Sequence, residues 1–365
     1  MTTVDRYIAA SFLSSYVILL LAGIGVYIFS DLLVNLDEFT EARALGLAEI
    51  LGQMADFYGY NLPRYYQQLG GVMLGIAAGF TFALMLRNNE LTPLVAAGVP
   101  LQRLAAPALL VSVVLVAAWV VNGEVVVPAL AHKIARQHGD LADAASGTAV
   151  LCVRDDRNAI LSARELHVPR GELRGVMIIA ASADGAPAEL IRADAARYDA
   201  GRTTWRLERG ARLTMGPAFS DQTLGHVIRW EPVDEYPYTL APDDIRLRQS
   251  AQWTDLMSIR QMNALLRSRN LPNAPAIART QHVRFVQPLL AWIMMLLIMP
   301  FFLTRQPENV LVAGGKALLL AGSCFVFTFL CHSVAADPHT ALLAAAAPVL
   351  AFGPVAVLFF TNVRT

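Results

Sequence analysis

Residues 65–123 read YYQQLGGVMLGIAAGFTFALML, RNNELTPLVAAGVPLQR and LAAPALLVSVVLVAAWVVNG, which are two apolar runs on either side of a short polar loop. Neither run contains a charged residue. Each is long enough to cross the hydrocarbon core of a bilayer, which takes about 20 residues of helix. The stretch therefore predicts a helical hairpin in a membrane, with residues 87–103 as the loop that joins its two arms.

Four more charge-free windows of similar length raise the number of predicted spans to six. They cover residues 7–30, 285–304, 317–336 and, short of its last residue, 338–364. The first window has no basic leader and no small-residue cleavage site, so we expect a retained helix rather than a signal peptide. Lys and Arg near the span ends favour a cytoplasmic N-terminus. Six spans then place both termini in the cytoplasm.

The charged residues are concentrated between spans three and four. Of the 29 basic and 29 acidic residues, 38 lie between residues 129 and 281, and the other 212 residues carry only 20. The net charge of zero gives no sign of a nucleic-acid binder. Within this region, alternating runs bounded by turn residues predict the strands of a β-sandwich or jelly roll outside the membrane. These runs are 148–153, 159–166, 175–181, 189–195, 203–207, 211–214 and 227–230.

Apolar residues recur at helical spacing from Asp243 to Arg269 and predict an amphipathic helix at the membrane surface. The predicted fold is thus an α-helical membrane protein with an all-β, jelly-roll-like domain inserted between helices three and four. The predicted parts are spans one to three with a loop helix at about 88–99, the β-domain, the amphipathic connection, and spans four to six. Their boundaries are 1–134, 135–246, 247–281 and 282–365.

Few residues are candidates for catalysis, and no cofactor or metal is expected. Gly314, Gly315 and Lys316 resemble the end of a P-loop, but Val310 and Ala317 stand where the motif needs Gly and Ser or Thr. Ser323, Cys324, Cys331 and His332 share one predicted helix, whereas a nucleophile and its base usually come from different elements. An intramembrane enzyme using Ser323 or His332 is therefore the least favoured function.

Two polar positions near the span ends are more informative. Glu124 ends the third span, where an ionisable group is equally compatible with a structural and a functional role. The loop at 87–103 carries Glu90 in a helix-prone segment that Gly98 ends. A short charged helix of this kind suits docking into a groove of a soluble partner, and the alternative is a simple connecting turn.

With these residues in view, the chain resembles the LptF/LptG family, permeases that export lipopolysaccharide from the inner membrane of diderm bacteria. The resemblance runs nearly end to end, and the Asp5-Arg6-Tyr7-Ile8 and Gly123-Glu124 stretches are closer to the LptG side. The matching stretches are, in order, 4–8, 87–98, 123–128, 193–198, 205–207, 255–256, 288 and 299–301.

The resemblance implies a permease subunit of an ABC-type complex, without an ATPase motif of its own. Such a subunit pairs with a second homologous permease and with a dimer of a cytoplasmic ATPase. It passes lipopolysaccharide to a periplasmic jelly-roll bridge protein of the LptC/LptA kind, by strand addition at a sheet edge. The residues implied in ATPase coupling are Arg87, Glu90, Leu91 and Arg103, and those implied in an acyl-chain cavity are Ile24, Tyr27, Ile28, Phe29, Phe325 and Phe329.

The chain departs from the family where the first span ends. Relatives of the LptG type often carry lysines there that match lipid phosphates, whereas Asp37 and Glu38 would repel them. We expect the lipid headgroup to meet basic residues near the external mouth instead, and the alternative for each is an ordinary interfacial anchor. These residues are Arg64, Lys133, Arg136 and Arg284, of which only Arg136 falls close to a basic position of the family.

A rival function from another class also fits the predicted architecture. A membrane assembly factor or signalling protein could carry six spans and an external β-domain that binds a partner, without transporting lipid. A neighbouring reading frame for a second six-span protein with the same inserted region would favour the permease over this alternative.

Overall fold

A computed structural model describes residues 2–35, 47–135, 147–155, 159–181, 187–214, 230–238, 240–249, 253–267, 274–304, 309–334 and 338–363. The chain forms two compact units. The helical unit comprises Met1–Val34, Tyr58–Pro128 and Asn273–Thr365. The second unit comprises Asn35–Phe57 and Ala129–Pro272 and contains the β-sheet.

Helices account for most of the described chain. The first three spans and their loop consist of α1 (Thr3–Val34), α2 (Leu47–Arg87), α3 (Leu91–Ala96), α4 (Leu101–Val121), a π-helical turn (Asn122–Val126) and α5 (Val127–Ile134). Two shorter helices follow the sheet, α6 (Pro242–Gln249) and α7 (Ile259–Arg267). The last three spans consist of α8 (Ala274–Ile298), α9 (Val310–Val334) and α10 (Pro338–Thr361).

Six helical stretches of the described chain are long and apolar enough to cross a membrane. They are Thr3–Val34, Ile50–Arg87, Leu101–Ile134, Ala276–Phe301, Val310–Ser333 and Ala341–Thr361. The prediction of a multi-pass membrane protein with six spans is confirmed. The helices of the second and third spans extend beyond the charge-free windows, because polar residues continue the same helices outside the apolar stretch.

A stripe of glycines on α2 lets α8 approach closely. A Cβ added at Gly75 would lie 3.1 Å from Ile298 Cδ1, and one added at Gly79 would lie 2.7 Å from Ile298 Cγ2. Small residues are the usual means of close helix packing in membranes, where hydrophobic burial between helices contributes little. The stripe therefore joins the first three spans to the last three.

The core of the helical unit has two parts. The larger includes Phe12, Leu74, Phe82, Leu101, Met295 and Met299, so it draws on α1, α2, α4 and the end of the fourth span. A smaller cluster packs the last three spans together through Leu290, Ile293, Leu297, Cys324 and Ala356.

The second unit contains an antiparallel sheet inserted between the third and fourth spans, as predicted. Its strands are β1 (Thr148–Arg154), β2 (Ile160–His167), β3 (Glu172–Ala181), β4 (Pro187–Asp199), β5 (Thr204–Glu208), β6 (Ala211–Thr214), β7 (Glu231–Pro232) and β8 (Glu235–Tyr236). The described order is β1-β2-β3-β4-β5-β8, and β6 pairs with β4 and β7. Most of the predicted strand at 227–230 lies outside the described residues.

The sheet turns a corner in its middle. Glu189–Arg192 of the long strand β4 pair with β6, whereas Ala195–Asp199 pair with β5. The inward-facing positions shift at the same level, from Val176 and Ile178 to Leu173 on β3, around Gly175 with its φ of +62°. Such a φ favours glycine, which has no Cβ to clash. The core is closed by Trp205 and Tyr238, which donate hydrogen bonds to Leu240 O at 3.0 Å and Val153 O at 3.0 Å.

The segment after the sheet differs from the single amphipathic helix expected at 247–281. It contains α6, a 3-10 turn at Trp253–Leu256 and α7, and the helix of the fourth span already begins at Ala274. The start of α7 has a specific cause. Ser258 N donates to Gln261 Oε1 at 2.8 Å, and Gln261 N donates to Ser258 Oγ at 3.3 Å, a reciprocal cap that begins a new helix.

Candidate functional site

The loop between α2 and α4, residues 87–103, is named the hairpin loop here. It leaves α2 through Asn89, whose φ of +57° lies in the left-handed region, and it leaves α3 through Gly98, whose φ is +80°. Asparagine and glycine are the residues that tolerate this conformation best. These two reversals fold α3 back against the end of the bundle, so the segment is an ordered helical turn.

One side of the hairpin loop is anchored in the bundle. Leu91 is 2% exposed and belongs to the same buried cluster as Leu101 and Ile8, and Leu94 and Val95 pack against that cluster. Arg87, Thr92, Pro93 and Arg103 are exposed. Leu91 was predicted as a coupling residue, and the structure places its side chain where it holds the loop and does not offer a surface contact.

Glu90 lies between these two sides and is held by donors that carry no charge. Tyr7 Oη donates to Glu90 Oε2 at 2.9 Å, and Asn88 Nδ2 donates to Glu90 Oε1 at 3.1 Å. Both carboxylate oxygens are therefore oriented, while neither donor neutralises the negative charge. The sequence analysis missed Tyr7 as a partner, because the two residues are 83 positions apart and no local spacing connects them.

The last helix reaches the same end of the bundle. Gln102 Nε2, at the start of α4, donates to Phe360 O at 3.4 Å and to Thr361 O at 3.2 Å. The start of α1, the hairpin loop and the end of α10 thus meet at one end of the helical unit.

A second glutamate marks the other end of this unit. Arg284 Nη1 on α8 lies 3.4 Å from Glu124 Oε1 in the π-helical turn, and the side chains are 12% and 26% exposed. A π-helical turn holds one residue more than an α-helical turn. Asn122 fixes the turn by donating to Pro63 O at 2.8 Å and to Gln67 Oε1 at 3.1 Å. The turn is thus fixed to α2 by Asn122 and linked to α8 by Glu124.

The structure places the four basic residues predicted for the lipid headgroup in different settings. Arg284 is paired with Glu124, so a phosphate would have to compete with that carboxylate. Arg64 is half-buried on α2 in the helical unit, and Lys133 is exposed on α5 in the second unit. Arg136, Asp37 and Glu38 lie outside the described residues. The assignment of these residues to a headgroup stays a prediction.

The predicted acyl-chain residues lie on two helices and do not all face outward. Ile24 is 8% exposed and turned into the helical unit, and the Tyr27 ring packs 4.6 Å from the Tyr65 ring. Ile28 is half-buried on the same helix. Phe29, Phe325 and Phe329 are exposed. Only 6% of the most apolar window of α1 and 22% of that of α9 is buried, so these two helices present apolar faces outward.

The residues of the rival enzymatic reading do not form a catalytic pair. Ser323 Oγ donates to Leu320 O at 2.7 Å within its own helix. His332 follows nine residues later on the same helix, a rise of about 13 Å. Within the described residues, no group of three or more His, Cys, Asp and Glu side chains could hold a metal ion.

The sheet presents one long edge that is partly covered. Among the described strands β1 pairs only with β2, and its register is irregular at two places. Two of its carbonyls accept hydrogen bonds from α6, from Arg248 Nη1 to Arg154 O at 2.7 Å and from Gln249 Nε2 to Ala149 O at 2.7 Å. Irregular register and side-chain caps are common ways to protect a sheet edge.

Six membrane spans with an antiparallel β-domain inserted after the third define a multi-pass membrane protein with an accessory domain. The model of the family described as "Lipopolysaccharide export system permease LptF/LptG" matches residues 6–362, nearly the whole chain. The chain therefore belongs to the LptF/LptG family, whose members are transport components for lipopolysaccharide and not catalytic enzymes. No match was found among individually curated proteins.

Proposed function

We propose that this chain is the permease subunit of an ABC-type lipopolysaccharide export complex in the bacterial inner membrane. It pairs with a second homologous permease and is driven by a separate cytoplasmic ATPase dimer. Both termini and the hairpin loop lie in the cytoplasm, and the β-domain lies in the periplasm. The complex extracts lipid from the outer leaflet of the inner membrane and passes it to a periplasmic bridge protein. The chain itself contributes no ATP-hydrolysing motif.

The observation that carries this proposal is the form of the hairpin loop. It combines an ordered helical turn, an anchor at Leu91 and a negative charge at Glu90 that only neutral groups hold. A soluble partner with a basic groove would find this surface already shaped, which lowers the entropic cost of docking. A simple connecting turn would need neither the buried anchor nor the oriented carboxylate.

Each residue of the coupling site has a distinct role in this proposal. Glu90 pairs with a basic group of the ATPase, and Leu91 transmits motion of the loop to the bundle core. Arg87 and Arg103 are exposed on either side and contact acidic groups at the rim of the ATPase groove. Nucleotide-driven closure of the ATPase then moves the spans that the hairpin joins.

The lipid path lies between this permease and its partner. The outward apolar faces of α1 and α9 supply walls of the cavity, with Tyr27, Ile28, Phe29, Phe325 and Phe329 toward acyl chains. Ile24 supports α1 from inside. Each permease alone leaves these faces open, which is consistent with a cavity that two subunits close. At the periplasmic side, the β-domain meets the bridge protein by strand addition at a sheet edge.

The headgroup is met by basic residues at the periplasmic mouth, Arg64, Lys133, Arg136 and Arg284. For Arg284 this requires that a lipid phosphate replace Glu124 as its partner. Photoreactive side chains at Lys133 and Arg284 should trap lipopolysaccharide in the assembled complex. Adducts to protein only would remove both positions from the headgroup site.

Reversal of the charge at position 90 tests the proposed function. In the complex reconstituted into nanodiscs, Glu90→Lys should abolish co-purification of the ATPase and ATP-driven release of lipopolysaccharide. Glu208→Lys is a matched control, because Glu208 is an exposed glutamate on β5 of the second unit. If Glu90→Lys retained both the ATPase and full transport, the hairpin loop would not be the coupling site.

A further inference from the structure

The hydrogen bond between Tyr7 and Glu90 connects the first span to the hairpin loop. Tyr7 lies near the start of α1 and Glu90 precedes α3, and the hydroxyl donates to the carboxylate at 2.9 Å. Tyr7 is 52% exposed, so burial of its ring does not explain why the hydroxyl faces this oxygen.

Both ends of this hydrogen bond are mounted on anchored backbone. The start of α1 is fixed by a reciprocal cap, in which Thr2 N donates to Asp5 Oδ2 at 2.7 Å and Asp5 N donates to Thr2 Oγ1 at 3.3 Å. Ile8 and Leu91, each next to one partner in sequence, are 0% and 2% exposed in the same core cluster. The contact therefore joins two fixed points and is not a meeting of two mobile side chains.

An oriented carboxylate has a consequence for docking. A free glutamate side chain loses rotamer freedom when it forms an ion pair, and this loss weakens binding. At Glu90 the two donors fix the rotamer before a partner arrives, while the charge stays available to a cation. The same bond gives motion of the hairpin loop a direct route to α1, the helix whose apolar face is most open.

We infer that Tyr7 is a positioning residue of the coupling site, which orients the Glu90 carboxylate for the ATPase and ties the docked loop to the first span. This inference rests on the proposed function of the hairpin loop. It assigns no contact between Tyr7 and the ATPase, because Tyr7 acts through Glu90. Asn88 is a second, local donor to the same carboxylate.

The test removes only the hydroxyl. Tyr7→Phe in the full complex should weaken ATPase affinity roughly 3- to 10-fold, as expected for loss of one hydrogen bond to an exposed charged group. It should also raise the ATP consumed per lipopolysaccharide released. Tyr60→Phe is the control, because Tyr60 lies on α2 about 40 Å along the helix from its loop end. That variant should leave both quantities unchanged.

A double-mutant cycle separates positioning from an independent role. In a Glu90→Ala background, Tyr7→Phe should cause no further loss of ATPase affinity, because its target is gone. If binding to Glu90→Ala is too weak to titrate, hydrogen exchange in the permease without ATPase replaces it. Amides of residues 90–95 should then exchange faster in Tyr7→Phe and be unchanged in Tyr60→Phe.

The outcomes distinguish the inference from the function on which it rests. If Glu90→Lys abolishes docking but Tyr7→Phe changes neither affinity nor loop exchange, the positioning role is refuted and the coupling site stands. Additive losses in the cycle would likewise refute it, since Tyr7 would then act without Glu90. If Glu90→Lys leaves docking intact, the proposed coupling site fails and the role of Tyr7 fails with it.

Discussion

Glu90 and Glu124 occupy opposite ends of one helical unit and are held in different ways. Neutral donors orient Glu90, whereas the Arg284 guanidinium balances Glu124. Glu90 stands beside exposed residues of a loop, and Glu124 lies in a turn between packed helices. The difference shows how a largely apolar chain uses its few charges. A charge that stays uncompensated is available to a partner, and a compensated one holds the helices together.

The largest expected effect on stability comes from breaking the compensated end. Arg284→Met leaves the partly buried Glu124 carboxylate without its guanidinium, and we expect the free energy of unfolding to fall by about 2–4 kcal/mol. Denaturant or thermal unfolding of the purified permease in nanodiscs measures this change. Arg260→Met, at an exposed arginine of α7, should change it by less than about 0.5 kcal/mol.

A paired variant sharpens this result. Glu124→Gln combined with Arg284→Met removes both charges and should recover most of the lost stability, because the main cost is the unpaired charge. A double variant as unstable as Arg284→Met alone would show that the pair does not account for the loss.

An intermediate effect is expected between the two ends, where the glycine stripe lets α2 approach α8. Gly79→Ala places a Cβ 2.7 Å from Ile298 Cγ2 and should lower the free energy of unfolding by about 1–3 kcal/mol. Gly59→Ala on the same helix meets nothing within 4 Å and should be neutral or slightly stabilising. Equal effects of the two substitutions on unfolding would contradict close packing at the stripe.

The smallest expected effect is a difference in salt dependence. Raising the ionic strength from about 0.1 to 1 M shortens the Debye length from about 10 to 3 Å. ATPase affinity, which depends on the exposed Glu90, should weaken by about 3- to 10-fold. The stability contributed by the Glu124 and Arg284 pair should change little, because both groups are mostly screened from solvent by protein. A titration and an unfolding curve at each salt concentration compare the two.

The sequence was sufficient for the architecture, because hydrocarbon thickness imposes a length and an absence of charge that can be counted directly. The six windows correspond to six helices, and the charged region between spans three and four contains the sheet. The pairing of β4 with both β5 and β6 could not be foreseen, since alternation within a strand does not specify its neighbours. The separate helix at Ile259 was missed because the Ser258 and Gln261 cap was overlooked in an otherwise periodic segment.

The candidate site was predictable only in part, for a related reason. Glu90 and Glu124 stand out in the sequence as charges at the ends of apolar runs. Their partners Tyr7 and Arg284 are 83 and 160 residues away, so the contacts exist only after the helices pack. Ile24 and Leu91 illustrate the converse, since both look available in the sequence and are buried in the structure.

Site-specific photocrosslinking at both ends of the bundle tests the central claim most directly. Thr92 is exposed on the hairpin loop, and Val125 is 60% exposed in the π-helical turn at the other end. In cells that express the full complex, a photoreactive residue at Thr92 should trap the cytoplasmic ATPase. The same residue at Val125 should trap lipid or the second permease and never the ATPase. ATPase adducts from Val125, or their absence from Thr92, would contradict the assignment of the hairpin loop as the coupling site.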